Sequence, residues 1–156
     1  MKVTLREVAP SDLPIFFEQQ LDPAANHMAA FTRGDPADRE AFDAHWARIL
    51  GDDAVTAKTI LCDARVAGHI ASFERSGEPE VTYWIGREYW GRGVATQALR
   101  ALLGDLEPRP LYARVAEDNA ASIRVLQKCG FRISGRDKGF ANARGEETEE
   151  LILTLT

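Results

Sequence analysis

The spacing of hydrophobic residues changes several times along the chain, and each change marks a predicted element. Residues 3–6 alternate between apolar and polar before Ala9-Pro10, which is typical of a β-strand with one buried face. The next apolar residues recur at helical spacing, which predicts a helix capped by Ser11 and a second helix that starts at Asp35 and stops at Gly51. The apolar residues in these patterns are Leu13, Ile15, Phe16 and Phe17 in the first helix and Phe42, Trp46, Ile49 and Leu50 in the second.

Strand and helix patterns follow one another through the rest of the sequence. Residues 55–61 and 65–74 predict a hairpin around Asp63-Ala64, whereas the glycines and polar residues of 137–147 predict a loop that could overhang a binding site. The other predicted elements are strands near residues 80–85, 111–115, 131–136 and 149–155 and helices that begin near Val94 and Asn119. Together they predict one domain over residues 1–156 with mostly antiparallel strand pairing.

Composition narrows the class of protein. With 156 residues, 45% of them hydrophobic, the chain can bury one full core, and no apolar run approaches the length of a membrane span. No signal peptide is visible after Met1, and the two cysteines, Cys62 and Cys129, fit the thiols of a cytoplasmic protein, although the sequence also allows a bridge. The formal net charge of -5 argues against a nucleic-acid partner and suits a cationic amine weakly.

Residues 89–96, which read Tyr-Trp-Gly-Arg-Gly-Val-Ala-Thr, carry the strongest chemical signal. The small residues Gly91, Gly93 and Ala95 would let a diphosphate approach the backbone, and the free N–H groups and dipole of a helix start favour its charge. A Walker motif fails because no Gly-Lys-Ser/Thr follows the second glycine, and Thr96 stands where a dinucleotide fingerprint needs a third glycine. The alternative is a tight turn without a ligand.

A second motif follows in the next predicted helix. It reads Asn-Ala-Ala-Ser-Ile-Arg-Val-Leu-Gln-Lys-Cys-Gly-Phe over residues 119–131. Together the two motifs resemble the GNAT superfamily of N-acetyltransferases, whose signatures are Gln/Arg-x-x-Gly-x-Gly/Ala and Asn-x-x-Ser/Ala-x-x-Leu-Tyr-x-Lys-x-Gly-Phe. Trp90 replaces the Gln or Arg of the first signature, and Leu126 replaces the tyrosine of the second. Both replacements resemble the branch of ribosomal-protein N-terminal acetyltransferases, the RimJ and RimL type.

The resemblance is strongest over residues 80–131, and it implies a fold, a cosubstrate and a site. The implied GNAT fold is a three-layer α+β arrangement in which helices flank a mixed, mostly antiparallel sheet with splayed central strands. The implied reaction is direct acetyl transfer from acetyl-CoA to a primary amine, either a protein N-terminus or a small molecule, in a ternary complex. Ile85 would hold the pantetheine arm, and Asn119 would bond a pantetheine amide or, alternatively, only cap its helix. The diphosphate would bind the backbone of Gly91, Arg92, Gly93, Val94, Ala95 and Thr96.

Two residues are candidates for proton transfer. Since Leu126 cannot donate, Ser122 is the nearest family-matched acid for the departing thiolate, although it could equally be a small residue in the first turn of a helix. Glu80 matches the position of the family's catalytic glutamate, and the alternative is a solvent-facing strand end. A peptide α-amine has a pKa of about 7.7–8, so water could relay its proton, whereas a lysine-like amine with a pKa of about 10.4 needs a base more.

Three functions are compatible with these features. They are an N-acetyltransferase, a non-catalytic acyl-CoA-binding or sensor module, and a structural interaction domain with a vestigial site. Ser122 and Glu80 favour the first, Leu126 points to the second, and the intact glycine spacing argues against the third.

The acceptor and the assembly are left open by the sequence. Residues 21–34 and the loop around Phe140 are the expected substrate walls, with Met28 and Phe31 as alternative core residues. A homodimer is plausible by family analogy only. No metal is expected, since the histidines lack the paired spacing of a metal site; they are His27, His45 and His69.

Overall fold

The computed structural model of the protein describes residues 1–32, 34–106 and 109–156, which contain seven strands and five α-helices. The strands are β1 (Val3–Glu7), β2 (Thr56–Cys62), β3 (Arg65–Arg75), β4 (Glu78–Ile85), β5 (Leu111–Ala116), β6 (Arg132–Ala141) and β7 (Glu146–Leu155). The helices are α1 (Leu13–Gln20), α2 (Pro23–Ala29), α3 (Arg39–Leu50), α4 (Val94–Asp105) and α5 (Ala120–Lys128). All strands join one sheet in the order β1-β2-β3-β4-β5-β7-β6.

Helices cover both faces of this sheet. Neighbouring strands are antiparallel except at its centre, where β4 and β5 are parallel. On one face α4 and α5 bury Leu99 and Leu126 against the strands, and on the other α1 and α3 bury Phe16 and Trp46 against Ala71 of β3. The predicted α+β fold with a mixed, mostly antiparallel sheet is therefore confirmed.

The predicted start of the second long helix is wrong. α3 begins at Arg39 because Asp38 caps it, accepting a hydrogen bond from the Ala41 N–H at 3.0 Å. Asp35 instead accepts from the Ala37 N–H at 2.9 Å in the turn before the helix. Two aspartates three positions apart offer the same local signal, and the sequence alone does not choose between them.

Two other N-terminal features differ from the prediction. Ser11 caps no helix: it lies in a short 3-10 turn (Pro10–Asp12), and α1 begins after that turn at Leu13. α2, within the expected substrate wall, was not predicted, because its alanines leave no amphipathic pattern. Asp22 caps it by accepting from the Ala24 N–H at 3.0 Å, while residue 33 of this wall lies outside the described residues.

Residues 137–147 are mostly strand, not loop. β6 continues to Ala141 and β7 begins at Glu146, so that Asp137 lies opposite Glu150 and Phe140 opposite Glu147. Most residues of β6 are exposed, and an edge strand of this kind shows no alternation of apolar and polar residues. Pairing with β7 decides the structure, and this pairing is not visible in the local pattern.

Asp12 ties the first strand to the first helix. Its buried carboxylate accepts hydrogen bonds from the Arg6 guanidinium at 2.6 and 2.9 Å, from the Ala9 N–H at 2.8 Å and from the Thr59 hydroxyl at 2.7 Å. Burial by itself would raise the pKa of Asp12, but these bonds lower the pKa to about 2. The ionised carboxylate therefore stabilises the folded state.

We expect Asp12→Asn to lower the free energy of unfolding by about 2–3 kcal/mol, because charge-assisted hydrogen bonds are lost from a buried site. The carboxylate contributes this stability above its unfolded pKa of about 3.9. Wild-type stability should thus fall as the pH drops from about 4 to about 2, and the variant should lack this step. Urea denaturation across that range measures both effects. Asp43→Asn, which removes an exposed ion pair within α3, should cost less than about 0.5 kcal/mol; equal losses would contradict the assignment.

Candidate active site

The sheet opens between its two parallel central strands. β4 and β5 are paired where Glu80 lies opposite Tyr112, close to the start of both strands. Within the described part of the chain, residues 81–85 have no strand partner on the β5 side, because β4 continues along β3 and β5 along β7. The predicted splay is confirmed, and backbone polar groups of β4 face the opening.

Ile85 lies at the wide end of this opening. The Gly86 N–H donates to the Ala67 carbonyl of β3 at 2.8 Å, and the C=O and N–H of one peptide unit point in opposite directions, so the Ile85 carbonyl faces the opening. There it accepts a hydrogen bond from the Trp90 indole N–H at 2.9 Å. The N–H of Ile85 faces the same way as its carbonyl, which makes it a donor for a ligand in the opening.

The glycine turn leads from this opening into α4. Gly91 and Gly93 have φ angles of 71° and 81°, a left-handed conformation that favours glycine. The first intrahelical hydrogen bond of α4 runs from the Gln97 N–H to the Gly93 carbonyl at 3.1 Å, so the N–H groups of residues 94–96 precede the helical ladder. A Cβ at Gly91 would meet no described atom within 4 Å, so the turn is open on its outer side.

The other residues predicted for this turn hold it in place or line it. Val94 and Thr96 are buried, and Ala95 is half-buried. Arg92 is exposed, with its guanidinium 5.9 Å from the centre of the Tyr89 ring. The structure therefore brings all six residues predicted to bind the diphosphate, residues 91–96, together at the N-terminus of α4.

The start of α5 forms the opposite wall. Asn119 caps the helix, with its Oδ1 accepting from the Ser122 N–H at 3.2 Å and its Nδ2 donating to the Met28 carbonyl at 3.3 Å. The Ser122 hydroxyl accepts from the Tyr83 phenol at 2.9 Å. Burial raises the pKa of Tyr83 to about 12, which keeps the phenol protonated. The capping alternative for Asn119 is thus observed, and Oδ1 keeps a second lone pair.

Glu80 is buried, so its predicted alternative as a solvent-facing strand end is wrong. Only 6% of the residue is exposed, and its carboxylate lies 3.5 Å from Arg75 and 3.7 Å from Arg114. Burial raises the pKa of Glu80, while both arginines oppose the rise. The carboxylate adjoins a cavity of about 230 Å³ lined by Arg75, Ser76, Glu78, Glu80, Tyr112, Arg114 and Ile152.

The two candidates for proton transfer lie on opposite faces of the sheet. Side chains alternate along a strand, so Glu80 projects from one face of β4 while Tyr83 projects from the other, toward Ser122. The opening after Glu80 connects the two faces. A group held in the opening can therefore be approached from the Glu80 side while a leaving group departs on the Ser122 side.

Comparison with known proteins agrees with this geometry. The model of the GNAT acetyltransferase domain matches residues 2–132. The chain belongs to the GNAT family of N-acetyltransferases. Enzymes of this family use acetyl-CoA.

Curated relatives within the GNAT family are distant. The chain is 28% identical over 152 residues to the L-methionine sulfoximine/L-methionine sulfone acetyltransferase of Pseudomonas paraeruginosa, covering 87% of this chain and 84% of that protein. It is 27% identical over 86 residues to the uncharacterized N-acetyltransferase p20 of Bacillus licheniformis, covering 53% of this chain and 48% of that protein. The chain thus spans about half the length of the Bacillus protein.

Solved GNAT structures share the fold at low identity. Mycobacterium smegmatis RimJ in complex with CoA-disulfide superposes with a TM-score of 0.81 at 22% identity, over 99% of this chain and 81% of that one. The spermidine N-acetyltransferase of Vibrio cholerae in complex with CoA and spermine gives 0.77 at 17% identity, over 97% and 95% of the two chains.

The turn between β6 and β7 is fastened to α2, to the residue that follows it and to Asp118 before α5. Arg144 makes two 2.8 Å hydrogen bonds to the Asp118 carboxylate, one through each Nη atom, and donates to the His27 carbonyl through Nε at 2.9 Å. The Ala143 N–H donates to the Ala30 carbonyl at 3.2 Å. The two expected substrate walls therefore form one connected wall. Phe140 is exposed on β6, while Met28 and Phe31 are half-buried.

His69 is packed in the core of this GNAT domain, and its two cysteines form no disulfide. His69 packs between the rings of Phe16 and Trp46, whose centres lie 4.8 and 4.9 Å away, and burial lowers its pKa to about 3. Cys62 and Cys129 are both free thiols. Among residues 1–32, 34–106 and 109–156, no group of three or more His, Cys, Asp or Glu side chains could hold a metal ion, and no helix is long and apolar enough to span a membrane.

Three contacts of the site were missed from the sequence. Tyr83 follows the two-residue strand period of Val81 and Ile85, which could have placed it on the face covered by α4 and α5. Nothing in the local sequence indicates Ser122 as its partner. Arg114 alternates with Ala113 and Val115 along β5, so its side chain lies on the other face of the sheet, beside Glu80. The Trp90 bond to Ile85 had no sequence signal beyond the unusual tryptophan itself.

We expect Gly93→Asp to weaken acetyl-CoA binding at least tenfold, because a carboxylate would stand where the free N–H groups of α4 would meet the diphosphate. Gly77→Asp is the matched control, since both glycines have a φ of 81° and Gly77 also has open space around it. The two variants carry the same charge and a similar backbone strain, so both should be destabilised by about 1–2 kcal/mol. Calorimetry and thermal unfolding separate the effects. Unchanged affinity in a folded Gly93→Asp protein would remove the coenzyme site.

Proposed function

We propose that this protein transfers an acetyl group from acetyl-CoA directly to a primary amine in a ternary complex. The observation that carries the proposal is the opening between β4 and β5, whose wide end at Ile85 is joined by a short 3-10 turn (Arg87–Tyr89) to the glycine turn at the start of α4. A pantetheine arm needs an extended groove with unpaired backbone groups, and a diphosphate needs free N–H groups. The two requirements are met side by side.

In the proposed complex the coenzyme lies along β4. The N–H groups of residues 94–96 bind the diphosphate, with Gly91, Gly93 and the half-buried Ala95 leaving room for it. The pantetheine arm then runs beside Ile85, whose N–H donates to it. The Ile85 carbonyl already accepts a hydrogen bond from Trp90, so we assign the N–H of this residue, rather than its carbonyl, to the coenzyme. The second lone pair of Asn119 Oδ1 supplies an acceptor from the opposite wall.

This placement carries the thioester toward the narrow end of the opening, between Glu80 and Ser122. The amine nitrogen attacks the carbonyl carbon from the Glu80 face, and the carbonyl π electrons move to oxygen, where a backbone N–H of β4 stabilises the charge. Collapse of this intermediate breaks the C–S bond and leaves the electron pair on sulfur. Glu80, acting directly or through water, has taken one proton from the ammonium before the attack, and the second proton leaves the nitrogen to water as the amide forms. Ser122 donates a hydrogen bond to the departing sulfur.

The acceptor side favours a cationic amine over an anionic one. Arg114 is neutralised by its contacts with Glu80, Asp137 and Glu150, which lie at 3.7, 3.1 and 3.0 Å. Glu78 adds a fourth carboxylate beside the cavity, so that the carboxylates outnumber the two guanidinium groups there, those of Arg75 and Arg114. A cavity of about 230 Å³ suits a small amine or the first residue of a peptide. Catalysis is favoured over a non-catalytic coenzyme-binding role by the buried carboxylate and the Ser122 hydroxyl on either side of the opening.

A panel of amines tests the function. The wild-type protein with acetyl-CoA should release free thiol when supplied with L-methionine sulfone, spermidine or short peptides with a free N-terminus, and mass spectrometry should show one acetyl group on the amine. The panel covers amino acid, polyamine and peptide acceptors. Tight acetyl-CoA binding without thiol release for any class would favour the coenzyme-binding role instead.

We expect Glu80→Gln to slow the transfer about 100-fold near pH 7 and less at alkaline pH, because an amide cannot accept the proton and free amine becomes abundant as the pH rises. The measurement is the rate of thiol release with the best amine of the panel from about pH 6.5 to about pH 10. Glu74→Gln, an exposed carboxylate on β3, should match wild type throughout. A constant ratio between Glu80→Gln and wild type at every pH would assign deprotonation to water.

A further inference from the structure

Tyr83 is the one tyrosine of β4, and its phenol reaches across the opening to α5. Its side chain packs with Val81 and Ile85 on the face covered by α4 and α5. The phenol oxygen donates to Ser122 Oγ at 2.9 Å. The contact joins residues 39 positions apart, and it links the strand that borders the opening to the helix that forms its opposite wall.

Ser122 is fixed from two directions. Its backbone N–H donates to Asn119 Oδ1 at 3.2 Å, which sets the first turn of α5, and its Oγ accepts from Tyr83. A helical serine often bonds back to the carbonyl four residues earlier, here that of Asp118. Within the described residues the Ser122 hydroxyl makes no such bond, and no described group accepts its hydrogen. Because Tyr83 supplies the donor on one side, the serine hydrogen is left to point elsewhere.

We propose, resting on the proposed function, that Tyr83 is a positioning residue. Its phenol donates a hydrogen bond to Ser122 Oγ and thereby directs the serine O–H toward the sulfur of the coenzyme. The neighbouring position on α5 that could carry a donor holds Leu126, which is buried and has no polar group. Ser122 thus depends on Tyr83 for its orientation.

The proposed role requires no proton chain. When the C–S bond breaks, the electron pair stays on sulfur, and the Ser122 O–H stabilises it by one hydrogen bond. Tyr83 keeps its proton, since its pKa is raised to about 12 and a thiolate is a weaker base than the phenolate would be. The thiolate later takes a proton from water, and both hydroxyls are unchanged after the reaction.

The test measures coenzyme binding, so it works even before an amine acceptor is known. A hydrogen bond from Ser122 lowers the pKa of the bound thiol below the value of about 8.5 for a free thiol. Affinity for coenzyme A should then rise as the pH passes from the pKa of the bound thiol to the pKa of the free thiol. The expected rise is about tenfold for one charge-assisted hydrogen bond. Calorimetry from about pH 7 to about pH 10 measures this rise.

Desulfo-coenzyme A corrects for other groups that titrate nearby. Cys129 interacts with Tyr83 and has a raised pKa, caused first by burial and opposed by Arg100. Because desulfo-coenzyme A lacks the thiol, any pH dependence that it shares with coenzyme A belongs to the protein and is subtracted.

In Tyr83→Phe the pH-dependent rise should shrink to less than about threefold, and in Ser122→Ala it should vanish, while affinity near pH 7 changes little in either. Ser134→Ala, an exposed serine on β6, should keep the wild-type profile. Thermal unfolding checks that each variant is folded. A Tyr83→Phe profile equal to wild type would overturn the proposal, as would a flat wild-type profile with tight binding. Absence of coenzyme binding in the wild type would overturn the proposed function itself.

Discussion

The parting of β4 from β5 after Glu80 is the constraint on which the rest of the structure depends. A central sheet strand without a partner on one side leaves backbone groups unpaired, and each costs about 1–3 kcal/mol if it is buried dry. The fold offsets part of this cost, since the Trp90 indole satisfies the Ile85 carbonyl. The remaining strand pairs hold the opening in place. Gly68 lets β3 approach the end of β4 very closely, because a Cβ there would lie 2.0 Å from the Trp84 carbonyl oxygen.

The opening also separates two chemical environments that would interfere if they shared one face. A proton acceptor needs a carboxylate that is desolvated yet still ionised for part of the time, and burial with two arginines nearby places Glu80 between these limits. A departing thiolate would be repelled by that carboxylate. On the opposite face the partners are the neutral Tyr83 and Ser122. The pleat of a single strand therefore keeps the negative charges apart.

The sequence predicted features that are set within a few neighbouring residues. The period of the strands, the helical spacing around Phe42 and Trp46 and the glycine turn before α4 all belong to this class. The errors arose where distant contacts decide. Glu80 looks exposed after a glycine and a proline, yet Arg114 of β5 and the adjoining strand bury it. The second half of β6, residues 137–141, lacks an alternating pattern and is a strand because β7 pairs with it. The Tyr83 contact with Ser122 likewise depends on the fold, because the two residues are 39 positions apart in the sequence.

The same reasoning explains why the sequence predicts the coenzyme site better than the identity of the acceptor. A diphosphate is recognised by backbone N–H groups, and the glycines that expose them are visible in the sequence. The wall expected for the acceptor is held instead by Arg144, which bonds to residues 27 and 118, and only the fold brings these positions together. Changes in the turn between β6 and β7 can therefore reshape the acceptor side while the turn before α4 stays the same. In the proposed function, this independence would let the acceptor change without a change in the coenzyme site.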